Sequence, residues 1–287
     1  MIQARLICPE LTNLRYYLLY GDNIKAFPKG FAMIAGDTFQ RNFSLPIPDP
    51  PLSEWSSDPQ QRPQSALRQK ALGFNCMNYG LPGEPSLFRH FLPDKAYLDQ
   101  NCPDGLRFEL MFPSCWNEAA GPTSHNNKDH MAYPDLVKTG TCPPGFSTRV
   151  PSLFYETIYD THAFASKSGT FVLANGDPTG KFLYYHVRHL PLHLTDISPG
   201  FGYHGDFITG WDVDFLQNAI NTCINPSGEM YDCPLFTLQA DSASTSCKFA
   251  IPDALKSENA ISPGNSLPGN VQVVASGGVD GPAATSG

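Results

Sequence analysis

The chain has 287 residues, enough for one large domain or two small ones with a sizeable core. Its 27 prolines, 24 glycines and only 16 % charged residues exclude a helical bundle or coiled coil, while 41 % hydrophobic and 12 % aromatic residues exclude wholesale disorder. A net charge of −8 without any dense Lys/Arg block argues against nucleic acid or an anionic membrane as partner, and no apolar run approaches the ~18 residues of a membrane span.

In chain order, the opening stretch MIQARLICPELTN lacks the charged, apolar, small-residue order of a secretion signal. Short apolar or alternating runs predict strands at Arg15–Tyr20, Phe31–Ala35, Leu106–Phe112, Leu153–Tyr159 and Thr170–Ala174. Pro-rich stretches at Leu45–Leu52 and Asp58–Ser65 separate them, and the sequon Asn42-Phe43-Ser44 beside the first is a glycan acceptor. The loop Ser124–Tyr133 supplies His125, Asp129 and His130. Its spacing is no recognised zinc pattern, local capping explains Asp129, and His130 is the better functional candidate.

Within Leu153–Tyr159, period-2 alternation puts Glu156 on one face with Phe154 and Ile158. A carboxyl among apolar neighbours is held protonated and suits a general acid, unless an arginine such as Arg107 or Arg149 pairs with it. Asn175–Gly180 is turn chemistry, with Asp177 free to face a cleft. The run Lys181–Phe201 places His186, His189 and His193 at helical spacing, but Pro191 breaks that helix, so no metal is expected there.

The segment Gly202–Asp212 is the richest. If extended, His204 and Asp206 share a face and form a His–carboxylate pair for proton transfer. Trp211 offers a flat apolar face for a sugar ring. Asp212 caps a helix over about 213–223, whose Val213, Leu216, Ala219, Ile220 and Cys223 recur at helical spacing. From about Ser257 the Ser/Gly/Pro/Ala-rich composition reads as a flexible tail. Eight cysteines without a CxxC spacing point to disulfides in an oxidising compartment. No GxSxG, HExxH, P-loop or GxGxxG unit is present, so no cofactor is expected. The expected fold is an all-β sandwich or jelly-roll-like domain with long Pro/Gly-rich loops and one short helix.

The blocks AFPKGFAMIAGD, LRFELMFPSCW, DHMAYP, LFYETIYDTHAF, NGDPTG and GYHGDF…GWD resemble, in order from about Tyr16 to Phe236, the DUF1996 family. The resemblance implies a secreted, chiefly fungal protein of a kind often joined to carbohydrate-binding WSC domains. Family members usually begin with a signal peptide and a block containing His-x-His, and they join NGDPTG nearly directly to GYHGDF. Residues 1–13 are therefore read as non-family sequence from a mispredicted first exon, and 181–201 as an insertion or translated intron. The resemblance thus gives a family-like domain over 14–256 and a tail over 257–287. With Cys8 set aside, Cys115–Cys142 and one bridge among Cys223, Cys233 and Cys247 are the favoured disulfides.

Three functions follow. The first is hydrolysis of a cell-wall polysaccharide, with acid and base drawn from Glu156, Asp177, His130, His204 and Asp206, and with Trp211, Tyr203 and Asp212 contacting substrate. Hydrolysis needs two carboxyl groups about 5–5.5 Å or about 6.5–9.5 Å apart, whereas a β-elimination would use His130, His204 or Tyr203 as base. The second is a non-catalytic module binding the same glycan, and the third a metal site on His130, His204 and Asp206. In each case the expected partner is a glycan and the expected state a monomer. Convergence of the candidates in one cleft favours the first or third, and dispersal the second.

Overall fold

A computed structural model describes residues 10–40, 43–45, 49–173, 201–240, 242–243 and 252–253. In chain order its main elements are β1 (Glu10–Leu18), β2 (Ala32–Gly36), α1 (Gln64–Lys70), β3 (Leu72–Cys76), α2 (Lys95–Asn101), β4 (Leu106–Met111), β5 (Cys115–Trp116), β6 (Met131–Ala132), β7 (Thr148–Arg149), β8 (Ser152–Tyr159), β9 (His204–Ile208) and α3 (Val213–Thr222). All the strand pairings named here are antiparallel, and α1, α2 and α3 are short. This is the all-β, sandwich-like architecture that the alternating runs predict. The strand expected at Thr170–Ala174 is not formed over its described part, where Val172 makes a single bridge.

The main sheet has the order β1-β8-β4-β3. Its register aligns Leu14, Glu156, Glu109 and Gly73 in one row across all four strands. Alternation then sorts the side chains. Leu72, Phe74, Leu106, Phe108, Leu110, Leu153 and Tyr155 point to one face, where they form the principal core. The second layer on that face is the two-stranded sheet β2-β9, which inserts Met33, Ala35 and Phe207. Gly205 lets β9 lie close: a Cβ there would stand 2.7 Å from Leu110 Cδ2 and 3.3 Å from Phe112 Cζ. A third small sheet, β6-β5-β7, holds Trp116 and Met131 against the same core.

The opposite face of the main sheet carries Tyr16, Phe154, Glu156, Arg107, Glu109, Met111 and Asn75. Half of it is covered: Met111 and Phe154 pack with Trp55, Leu67, Ala71, Tyr133 and Val137 in a smaller core under α1 and the loop after β6. α1 follows Pro63 and buries Ala66, Leu67 and Lys70. α2 begins at Asp94, whose carboxylate accepts the Tyr97 N–H at 2.8 Å. α3 is the helix read from the sequence, and Asp212 caps it by accepting the Phe215 N–H at 2.9 Å.

Disulfides lock the ends of these elements. Cys76–Cys102 ties β3 to the end of α2, Cys115–Cys142 ties β5 to the loop before β7, and Cys223–Cys233 closes the end of α3. Cys115–Cys142 and a bridge within the last three cysteines are the favoured pairs, while Cys76–Cys102 was not singled out by spacing. Asn42, Asp177, Cys8, Cys247, the three histidines of 181–200 and the tail lie outside the described residues.

Candidate functional site

The other half of that sheet face is a connected row of polar and charged side chains, partly covered by the Glu84–Leu87 segment. Tyr16 on edge strand β1 donates its hydroxyl to Glu156 Oε2 at 3.0 Å. Arg107 lies between two carboxylates, with Nε 3.4 Å from Glu156 Oε1 and Nη2 2.7 Å from Glu109 Oε1. The Nε contact is an ion pair without hydrogen-bond geometry, so that buried N–H stays open. The two glutamates are direct cross-strand partners, a placement that forces like charges together unless a cation intervenes. Arg107 is that cation.

The row is graded in exposure. Tyr16 and Leu14 are open to solvent, the Glu156 and Arg107 side chains are 12 % and 22 % exposed, and Glu109 is fully enclosed. Burial raises the Glu109 carboxyl from its usual range to about 7, against the opposing pull of the Leu87 N–H and Arg107. Its niche is made by Gly73, where a Cβ would collide with Glu109 Oε2 and stand 3.1 Å from Leu87 Cα. Leu87 closes the niche from a left-handed conformation, φ +61°, and gives its N–H to Glu109 Oε2 at 2.5 Å. Asn75 Nδ2 completes the shell at 3.2 Å from Glu109 Oε1.

The sequence candidates do not converge on this row. His204 and Asp206 do share a face, but it is the solvent face of β9, opposite Gly36 and Ile34. The whole core layer and the main sheet separate them from Glu156. His204 Nδ1 is 3.0 Å from Thr38 Oγ1. His130 is fully buried, with Nδ1 3.0 Å from Ser124 Oγ and its ring edge-on to Phe31. Burial lowers its pKa, so it serves the core as a neutral ring. Among the described residues no three His, Cys, Asp or Glu side chains stand close enough to hold a metal, so the His130/His204/Asp206 site is not assembled here.

The three aromatic and capping candidates are also engaged. Trp211 donates Nε1–H to the Tyr17 hydroxyl at 3.1 Å and stacks on Phe215 at 6.1 Å between centroids. Tyr203 packs edge-on to Phe108 at 5.0 Å within the core, and Asp212 is the α3 cap.

Three residues of the row, Tyr16, Arg107 and Glu109, were not singled out as site residues. The signal for the last two was present in Leu106-Arg-Phe-Glu-Leu-Met111, where alternation sets Arg107 and Glu109 on one face. From the sequence Arg107 is only a possible partner of Glu156, and the structure pairs them. Residues 7–211 match the model of a family described as a domain of unknown function (DUF1996). No curated protein and no solved structure matches.

Proposed function

The chain belongs to the DUF1996 family, and from that premise we propose that it is a non-catalytic glycan-binding module acting outside the cell. The observation that carries this reading is the partly exposed row Tyr16–Glu156–Arg107 on the polar sheet face. A sugar presents vicinal hydroxyls, which donate and accept, and apolar C–H faces. Glu156 supplies acceptors, the partly exposed Arg107 guanidinium a fork of donors, and Tyr16 a half-exposed ring.

Hydrolysis would need two carboxyl groups within reach of the same glycosidic bond. The carboxyl beside Glu156 is Glu109, sealed beneath Arg107 and Leu87. The other acid–base candidates described stand on the far side of the sheet or inside the core. Three disulfides among the described residues suit an oxidising compartment, which supports a secreted location and a cell-wall glycan as ligand.

The test is a panel of insoluble and soluble polysaccharides. Retention on one of them without release of soluble sugar is expected. Tyr16→Ala and Glu156→Gln should each weaken retention roughly tenfold, the loss of one good contact, while a His204→Ala/Asp206→Ala double variant should bind as the parent does. Release of products would restore the hydrolytic reading, and retention on no member would remove the binding one.

A further inference from the structure

Away from the polar row, a second buried cluster joins the Pro-rich segment before α1 to the helix itself. Lys70, on the last turn of α1, is completely enclosed. Its Nζ lies 3.3 Å from the centroid of the Trp55 ring, donates to Gln61 Oε1 at 2.6 Å, and stands 3.6 Å from Asp49 Oδ2. The same Asp49 oxygen is 2.9 Å from His90 Nε2. On the other side of that ring, Nδ1 is 2.6 Å from the Leu72 carbonyl oxygen, which can only accept. Asp49 Oδ1 is buried and has no hydrogen-bond partner. Phe43 stacks on the His90 ring, and Phe201 stacks on Phe43, so aromatic rings shut the cluster on that side.

From this placement we infer that Lys70 and Asp49 are the two halves of an intramolecular isopeptide cross-link, with His90 as its proton carrier. A fully enclosed amine held 3.6 Å from a mostly buried carboxylate oxygen is in an arrangement that favours condensation, because the effective concentration of the two groups is very high. In such a site the neutral amine and neutral acid compete with the ion pair, since separated charges are costly there. Desolvation lowers the Lys70 pKa, opposed by the nearby Asp49 charge, and so favours the neutral amine more than in a solvated lysine. Gln61 Oε1 accepts one N–H of the amine and so holds Nζ beside the Asp49 carboxyl.

The reaction balances without an oxidant or cofactor. The Nζ–Cγ bond forms, the Cγ–Oδ2 bond breaks, and Oδ2 leaves as water with two protons that began on the ammonium group. His90 Nε2 takes up the protons released from Nζ, one at a time, and passes each to Oδ2, while Nδ1 keeps its own on the Leu72 carbonyl. The product ties the Pro-rich segment to α1 through an amide, a bond that reductants do not break.

Mass spectrometry of the reduced, unfolded full-length chain tests this directly. A mass lighter than the sequence by one water is expected, together with a branched proteolytic peptide joining the Asp49 and Lys70 segments. Asp49→Ala should restore the full mass whether or not that variant folds, because the reading is taken on denatured protein. A full-length mass in the parent overturns the assignment. So does a mass loss with no branched peptide, which would mark a cyclised Asp49 on a linear chain.

Discussion

The two faces of the main sheet share the same backbone ladder yet are stabilised in different ways. The covered face is a continuous apolar layer, with Phe74, Leu110 and Leu153 fully buried against β2-β9. Its contribution is proportional to area and indifferent to pH. The other face divides into an apolar half under α1 and a polar half in which Glu109, Arg107 and Glu156 depend on one another. One face is robust to any single polar change. The other is set by one guanidinium between two carboxylates.

The largest expected effect breaks the robust face. Phe74→Ala removes a fully buried ring that meets Phe108 at 5.1 Å. It should cost about 3–5 kcal/mol in denaturant unfolding, a large share of the stability of a typical domain.

The next sharpens the contrast through pH. Below about pH 4.5 the folded and unfolded chains both hold the Glu109 proton, so the group has no pH-dependent influence. Between 4.5 and about 7 the unfolded chain releases it while the folded chain keeps it, so stability falls as pH rises and levels off above 7. The total is about 3 kcal/mol, as an order of magnitude. Glu109→Gln should abolish that slope in unfolding titrations at pH 5 and pH 8, and a slope unchanged in the variant would assign it elsewhere.

Gly73→Ala tests the niche itself. The added methyl must displace Glu109 or the Leu87 turn, and a loss of about 1–3 kcal/mol is expected. Gly83→Ala, where an added Cβ meets nothing within 4 Å, should cost less. The smallest effect belongs to Tyr16→Phe, which removes one half-exposed hydrogen bond to Glu156. About 0.5–1.5 kcal/mol is expected from thermal unfolding.

Much of the fold was legible because strands that bury one face announce it by alternation. Glu156 and its neighbours in Leu153–Tyr159 could be assigned to faces from the sequence, and so could His204 and Asp206. The strand β3 was not legible. Leu72-Gly-Phe-Asn-Cys76 is short, interrupted by glycine, and joined to α1 through Ala71 with no turn signal between them. α1 and α2 are seven residues each, too brief for a periodic pattern to stand out from Pro-rich surroundings. Asp94 ahead of α2 was the one local cue. The site was legible residue by residue but not as an assembly. Which side of a sheet β9 would cover depends on pairings between segments far apart in sequence, and no local pattern encodes that.

Those distant pairings also set the order in which the molecule can be made. β1 and β8 meet across about 140 residues, as in the Tyr16–Glu156 contact, and β2 and β9 across more, as in the Thr38–His204 contact at a separation of 166. The disulfides close intervals of only 26, 27 and 10 residues. At ribosomal speed, β2 emerges on the order of ten to thirty seconds before β9. Throughout that interval Phe31, Met33 and Ala35 have no lid, so the local bridges can be sealed long before either long-range sheet pairing is complete.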